Sequence, residues 1–136
     1  MVRDIKKILV VEDEPDTAEM FAEMLRLHGY LVYKSYGSAS AMKQLVFDKP
    51  DAVMLDIMMP DISGLEVLHF MRRDPTMENI PVIVVSAKGL LSDIKIGMDA
   101  GANAYLTKPV AFSELIKAVE ESFQRGDQLS EGSANN

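Results

Sequence analysis

Short apolar runs alternate with helical periodicities along most of the chain. Four segments are continuous runs of β-branched and apolar residues, which is the pattern of strands covered on both faces of a sheet. These segments are 7–11, 52–56, 81–86 and 104–107. A fifth segment, Leu31–Ser35, is more polar and is predicted to be a strand nearer the sheet edge.

Between these runs, apolar residues recur every three or four positions, which predicts helices with one buried face. The first helix is predicted to begin at Pro15 and to close at His28-Gly29, because proline suits a first turn and glycine suits a helix end. The other helices are predicted from Ser38 to before Pro50, from Leu65 to Arg73, from Leu91 to Ala100, and along an apolar face of Phe112, Leu115, Ile116, Val119 and Phe123.

Five strands that alternate with five helices predict a doubly wound α/β fold. Its five-stranded parallel sheet carries helices on both faces, joined by right-handed crossovers. Ligands of such sheets bind beyond the carboxyl ends of the strands, where the strand order reverses. Residues 1–125 are expected to form one domain. Residues 126–136 are polar, lack an apolar period and are interpreted as a tail or the start of a linker.

The composition excludes several classes of function. The 136 residues include no cysteine, which excludes disulfide frameworks, thiolate zinc sites and cysteine nucleophiles. The formal net charge is −7, with lysines and arginines scattered along the chain, so direct nucleic-acid binding is not expected. The first apolar run is too short for a signal peptide core or a membrane span. We therefore expect a cytoplasmic protein that does not contact a membrane.

Polar residues stand where the most apolar strands end. Glu12 and Asp13 follow the first strand, Asp56 ends the third, Ser86 ends the fourth and Lys108 follows the fifth. In a parallel sheet these side chains meet at one edge, and three carboxylates that close together either share a proton or bind a cation. Hard oxygen ligands suit Mg²⁺, with Mn²⁺ as the alternative ion, and leave room for a phosphoryl group. The pattern predicts a carboxylate that accepts a phosphoryl group, assisted by the cation, the lysine and the hydroxyl.

Residues 6 to about 124 resemble the receiver domain of bacterial two-component response regulators, of the chemotaxis-regulator type. The resemblance rests on several motifs in the right order on the right elements, which together are far more specific than any one of them. They are Ile8–Glu14, Leu55–Pro60 with Gly64, Ser86-Ala87, and Gly101-Ala102 leading to Tyr105–Pro109. The resemblance implies a flavodoxin-like fold with the strand order 2-1-3-4-5.

The same resemblance implies a phosphoacceptor and a metal site. Asp56 would accept the phosphoryl group. Asp13, Asp56 and the backbone carbonyl of Met58 would bind Mg²⁺, and Glu12 would hold the ion through water. Family members often carry two aspartates after the first strand, where this chain has Glu12 and Asp13.

Further residues would bind the phosphoryl group and respond to it. Lys108 would be its counter-ion, and Ser86 and the backbone of Ala87 would also bind it. Ser86 and Tyr105 would form a switch pair, in which Ser86 moves toward the phosphate and Tyr105 turns into the space that Ser86 leaves. The Lys108-Pro109 bond resembles the family's cis peptide.

Two residues occupy positions at which the family tunes the rate of dephosphorylation. They are Met58, two residues after the acceptor, and Lys88, two residues after the switch serine. An apolar Met58 cannot orient an attacking water, so slow loss of the phosphoryl group is predicted. The protein would catalyse its own phosphorylation and slow autodephosphorylation without turning over an external substrate.

The implied partners are a sensor histidine kinase or phosphotransfer protein as donor, and a downstream protein or an output domain outside this chain as target. The fourth helix, fifth strand and fifth helix would form the surface that reports phosphorylation. The resemblance is compatible with a monomer or with a phosphorylation-dependent dimer.

Three alternatives come from other classes of function. An adaptor of the same fold could act without phosphorylation. A phosphatase of the haloacid dehalogenase type would need a second acid two residues after the nucleophile, where this chain has Met58. A flavodoxin-like FMN carrier would need a first loop rich in serine, threonine and glycine, whereas Glu12-Asp13-Glu14 repels a phosphate unless a cation intervenes.

Overall fold

The computed structural model describes the backbone of residues 4–134 and the side chains of residues 4–125. Strands and helices alternate throughout. The strands are β1 (Lys7–Val11), β2 (Leu31–Ser35), β3 (Ala52–Leu55), β4 (Val82–Ser86) and β5 (Ala104–Thr107). The helices are α1 (Pro15–Leu27), α2 (Ser38–Phe47), α3 (Gly64–Arg73), α4 (Leu91–Asp99) and α5 (Phe112–Ala134).

The five strands form one parallel sheet in the order β2-β1-β3-β4-β5. The predicted doubly wound α/β fold and its strand order are therefore confirmed. The chain first winds outward from β1 to the edge strand β2, and then crosses back over β1 to β3. The strand order reverses between β1 and β3, so a ligand site is expected at the carboxyl ends of these two strands.

Side chains alternate between the two faces of the sheet and so build two separate cores. Ile8 and Val10 of β1 point into a core that α1 and α5 cover. Leu9 and Val11 point into the opposite core, which includes residues of α2 and α3. Because β1, β3 and β4 are buried on both faces, they read as continuous apolar runs rather than as alternating ones.

The ends of α1 follow the signals in its sequence. Pro15 occupies the first turn, where a missing N–H costs no hydrogen bond. Gly29 follows the helix with φ +94°, a left-handed conformation that glycine adopts without steric cost.

The fifth helix differs from its prediction in two respects. Leu115 and Val119 are fully buried, but Phe112 is 42% exposed, so its placement on the buried face was wrong. Phe112 is the first residue of α5 and lies about one turn before the first residues that pack onto the sheet. The helix also continues to Ala134, beyond the predicted start of a tail. Whether residues 126–136 act as a tail or as the start of a linker is not tested by this helix, so that interpretation stays a prediction.

Within the described residues, no helix combines the length and the apolar composition that crossing a bilayer requires.

Candidate functional site

The register of the sheet brings the predicted acidic residues together. Val11 and Leu55 are paired neighbours on β1 and β3, so the residues that follow them, Glu12 and Asp56, leave the sheet side by side. The backbone N–H of Asp56 donates to the carbonyl of Val11 at 3.0 Å, which extends this pairing by one residue. The apolar strands thus deliver two carboxylates to the point where the strand order reverses.

Asp56 is nearly buried and is held by two donors. One carboxylate oxygen accepts a hydrogen bond from the backbone N–H of Met58 at 2.9 Å, and the other accepts one from Nζ of Lys108 at 3.0 Å. Only 7% of the residue is exposed. Fixed donors on both oxygens hold the carboxylate in one orientation, as a nucleophile for an incoming group requires.

Glu12 and Asp13 complete a compact cluster of carboxylates. One oxygen from each of Glu12, Asp13 and Asp56 lies within 4.8 Å of the others. Burial raises the pKa of Glu12 to about 7; the hydrogen bond from Lys108 opposes this shift, and the negative charge of Asp56 adds to it. Among the described side chains, the ammonium group of Lys108 contacts two of these three carboxylates, so the cluster is short of positive charge.

Lys108 connects the last strand to the acidic cluster. Its Nζ lies 2.6 Å from Oε1 of Glu12 and 3.0 Å from Oδ2 of Asp56. Burial disfavours the charged ammonium, but the hydrogen bonds to Glu12 and Asp56 outweigh it and raise the pKa of Lys108 above its ordinary value. The side chain therefore stays cationic beside the two acids. The expected cis peptide is present between Lys108 and Pro109.

Ser86 lies at the end of β4 and is fully buried. Its backbone carbonyl accepts a hydrogen bond from the N–H of Lys108 at 2.9 Å, and its hydroxyl accepts one from the N–H of Lys88 at 3.2 Å. The next residue, Ala87, is exposed. The structure thus places Ser86 at the inner end of the β4–α4 connection and Ala87 at the outer side.

Tyr105 reaches the same connection from β5. Its hydroxyl donates to the backbone carbonyl of Lys88 at 2.6 Å. Burial raises the pKa of Tyr105, and the side chain of Ser86 lies close enough to oppose that shift. A Cβ atom added at Gly97 of α4 would come within 2.8 Å of the tyrosine ring, so the ring packs directly on the helix backbone. The predicted switch residues are therefore linked through the backbone of the β4–α4 connection.

An open cleft of about 480 Å³ leads to the carboxylates. Asp13, Met58 and Lys88 are among its lining residues, so the two predicted tuning residues and one predicted metal ligand face the same space. Met58 is half exposed. The cleft opens beside the loop that follows Asp56.

Two residues that position the site have roles that the sequence did not reveal. A Cβ at Gly64 would lie 2.2 Å from the carbonyl oxygen of Asp56, so only glycine lets α3 begin this close to Asp56. Asp61 accepts hydrogen bonds from the N–H groups of Ser38 and Ala39 at 3.2 and 3.1 Å, and so caps α2 from the loop that follows Asp56. Gly64 stood out in the sequence together with the Leu55–Pro60 motif, although its contact with Asp56 did not. No local pattern indicated that Asp61 caps a helix whose bonded residue lies 22 positions earlier.

Comparison with known protein families gives one match over most of the chain. Residues 8–120 match the family model described as the response regulator receiver domain. The response regulator MprA of Mycobacterium ulcerans (strain Agy99) is 36% identical over 119 residues, which cover 88% of this chain and 50% of the relative. MprA of Mycobacterium tuberculosis (strain ATCC 25618 / H37Rv) is equally similar and is covered to 51%. The chain therefore spans about half the length of these curated relatives.

Solved structures agree at the level of the fold. A response regulator receiver domain protein from Clostridium thermocellum superposes with a TM-score of 0.84 at 27% identity, covering 92% of this chain and 99% of the other. A CheY-like receiver domain protein from Methanospirillum hungatei JF-1 superposes with a TM-score of 0.85 at 23% identity, covering 92% and 98%.

Proposed function

This chain belongs to the response regulator receiver domain family, and from that membership we propose that it is a phosphorylation-dependent signalling switch of a two-component system. The observation that carries the proposal is the Asp56 carboxylate, fixed between the Met58 N–H and the Lys108 ammonium beside two further acids. A buried carboxylate with this surrounding is oriented for attack rather than solvated in a turn.

The proposed reaction moves a phosphoryl group from a phosphohistidine to Asp56. A carboxylate oxygen of Asp56 attacks phosphorus, an O–P bond forms, and the N–P bond breaks with its electron pair passing to the histidine nitrogen. Lys108 stays charged and neutralises oxygens of the transferring group, while the Ser86 hydroxyl and the Ala87 N–H donate to them after transfer. The donor is a sensor histidine kinase or a phosphotransfer protein.

The acidic cluster fits a hard divalent cation. All of its donors are carboxylate oxygens, and the Lys108 ammonium contacts only two of the three carboxylates, so the cluster is short of positive charge. We assign Mg²⁺, or Mn²⁺ in its place, to Asp13, Asp56 and the Met58 carbonyl, with Glu12 acting through water. The bound ion supplies charge neutralisation for the phosphoryl oxygens.

The signal would leave the site through Ser86 and Tyr105. Ser86 is bonded to the backbone that leads into α4, and Tyr105 packs on the same helix, so movement of either one changes contacts of α4 and β5. The α4, β5 and α5 surface then binds a target protein or an output domain. Phosphorylation would shift an existing equilibrium, with or without formation of a dimer.

The direct test is covalent labelling with phosphoramidate, whose N–P bond resembles that of phosphohistidine, in the presence of Mg²⁺. The mass of the wild-type chain is expected to rise by one phosphoryl group. Asp56→Asn is expected to abolish labelling, as is chelation of the metal. Asp16→Asn, which changes an exposed acid of α1, is the matched control and should label normally.

Full labelling of Asp56→Asn would contradict the assignment of the acceptor. A folded wild-type chain that no N–P donor labels would favour the phosphorylation-independent adaptor. Steady release of phosphate from a phosphomonoester would instead favour the phosphatase alternative.

A further inference from the structure

A second surface lies between α2 and α3 and shares no residue with the acidic cleft. It is an apolar groove of about 410 Å³ lined by Met42, Lys43, Val46, Phe47 and Phe70. Phe47 is 91% exposed and Val46 is 60% exposed. A fully exposed aromatic side chain beside other apolar groups is a frequent mark of a binding surface.

The charges beside the groove are positive on a molecule that is negative as a whole. Lys43 lines the groove, and Arg73 follows Phe70 by one helical turn, so it lies on the same side of α3. Within the described side chains, neither cation is within salt-bridge distance of a carboxylate. Glu66, one turn before Phe70, lies 3.8 Å from Nδ1 of His69. The rim thus carries two cations and one acid, and its net positive charge suits an acidic partner.

The shape of the groove favours a helix as its occupant. Two neighbouring helices leave a linear groove into which the apolar ridge of a third helix can pack. The ten residues of α2 extend over about 15 Å, which a partner helix of about three turns would cover. A second copy of this chain is disfavoured, because a symmetric contact would bring two positively charged rims together.

We propose that the α2–α3 groove docks an acidic amphipathic helix of a partner protein. Apolar residues of that helix, spaced at i, i+3 or i+4, and i+7, enter the groove around Phe47. Its aspartates and glutamates face Lys43 and Arg73. The docking does not depend on phosphorylation of Asp56, so it can be tested independently of the proposed switch.

The test is a yeast-display library of three-turn helices whose surface positions vary among apolar, acidic, basic and neutral residues. The library is selected for binding to the full chain, and in parallel to its Phe47→Ser variant. Helices enriched on the wild type are expected to carry one apolar stripe flanked by acids. When an enriched helix is titrated into the labelled chain, the chain's two-dimensional NMR resonances that shift are expected to belong to residues of α2 and α3.

Synthetic versions of the enriched helices then measure the contributions of single residues. Phe47→Ser is expected to weaken binding by about tenfold or more, because exposed aromatic anchors dominate such contacts. Lys43→Glu is expected to weaken it by about tenfold and to remove most of its salt dependence. Leu91→Ser on α4, where Leu91 is 86% exposed, and Lys117→Glu on α5 are the matched controls and should bind as the wild type does.

The proposal is overturned if the enriched helices are basic or uncharged, or if the two selections enrich the same helices. Equal losses in the control variants would overturn it as well. Sedimentation of the chain alone measures its oligomeric state. A dimer that the Phe47→Ser substitution dissociates would mean that a second copy covers the groove, and it would overturn the proposal. Because Phe47 is almost wholly exposed, its substitution is not expected to impair folding, and thermal unfolding checks this.

Discussion

At the scale of single residues, the proposed acceptor Asp56 is distinguished by the groups that surround it. Asp56 receives a backbone donor from Met58 and an ammonium from Lys108, while Glu12 and Asp13 add negative charge beside it. The backbone N–H of Met58 makes its hydrogen bond to Asp56 whichever side chain this position carries. The side chain of Met58 lines the cleft instead and is half exposed to solvent. One residue therefore acts twice, by its backbone on the acceptor and by its side chain on solvent.

Met58→Asn is expected to speed loss of the phosphoryl group from Asp56. An amide side chain can hold an attacking water, and one net hydrogen bond of about 1 kcal/mol corresponds to roughly a fivefold rate increase. The measurement is the decay of labelled protein after removal of the donor, with Mg²⁺ present. Met58→Leu, which stays apolar and of similar size, is the control. Equal decay in the two variants would show that this position does not tune the rate.

At the scale of elements, α2 depends on the loop that carries the site. Its first N–H groups bond to Asp61, and the hydroxyl of Ser38 donates to the carbonyl of Ile62 at 2.6 Å. Hydrogen bonds from the N–H of Ala39, and also from that of Ser38, hold the pKa of Asp61 below its ordinary value. The loop after Asp56 and the helix that forms one wall of the groove are thus joined at one end.

Asp61→Ala is expected to lower the free energy of unfolding, because it leaves the start of α2 uncapped. A carboxylate with a lowered pKa stabilises the fold at neutral pH, and this contribution is lost as the pH falls through the pKa of the folded state. The difference in free energy of unfolding between wild type and variant should therefore narrow below roughly pH 4. Urea unfolding across this pH range measures it, with Asp16→Ala as the control. A difference that is constant or widens in acid would contradict the cap.

At the scale of the whole molecule, Arg72 ties distant parts of the chain together. From the end of α3, its guanidinium donates to the carbonyls of Glu78, Ile80 and Gly101 and to Oδ1 of Asn103, at 2.9 to 3.1 Å. Among the described side chains, no carboxylate forms a salt bridge with it. Its donors thus join α3, the chain that enters β4 and the turn before β5.

The same contacts explain a glycine and an asparagine. Gly101 has φ +112°, and a Cβ there would approach the Arg72 side chain to 2.9 Å. Asn103 accepts from Arg72 and also from the N–H of Val82 at 2.8 Å, which fixes the start of β4 beside β5. This arrangement holds the two strands whose carboxyl ends supply Ser86 and Lys108.

Arg72→Met is expected to reduce the free energy of unfolding by about 2 to 4 kcal/mol, because it leaves partly buried carbonyls without donors. The neighbouring change Arg73→Met affects an exposed side chain and should cost no more than about 0.5 kcal/mol. Urea unfolding followed by circular dichroism at pH 7 compares the two. If both variants lose the same stability, the contacts of Arg72 are not what holds these loops.

The sequence by itself determined the elements, the fold class and which charged residues stand at the strand ends. Strands buried on both faces must be apolar throughout, and helices with one buried face must repeat every three to four residues, so these periods are readable without coordinates. The acidic and basic residues stand directly after those strands. A parallel sheet then requires them to meet at one edge, as Glu12, Asp56 and Lys108 do.

Only the tertiary structure decided how those residues contact one another and what supports them. The register of Val11 with Leu55, the cap from Asp61 and the bonds of Arg72 join positions far apart in the chain, and no local pattern encodes such pairs. The exposure of Phe112 and Phe47 was likewise not readable, because an apolar residue on a helix has the same periodicity whether a neighbouring element covers it or not. The physical reason is that periodicity reports the face of one element, whereas contacts depend on how two elements meet.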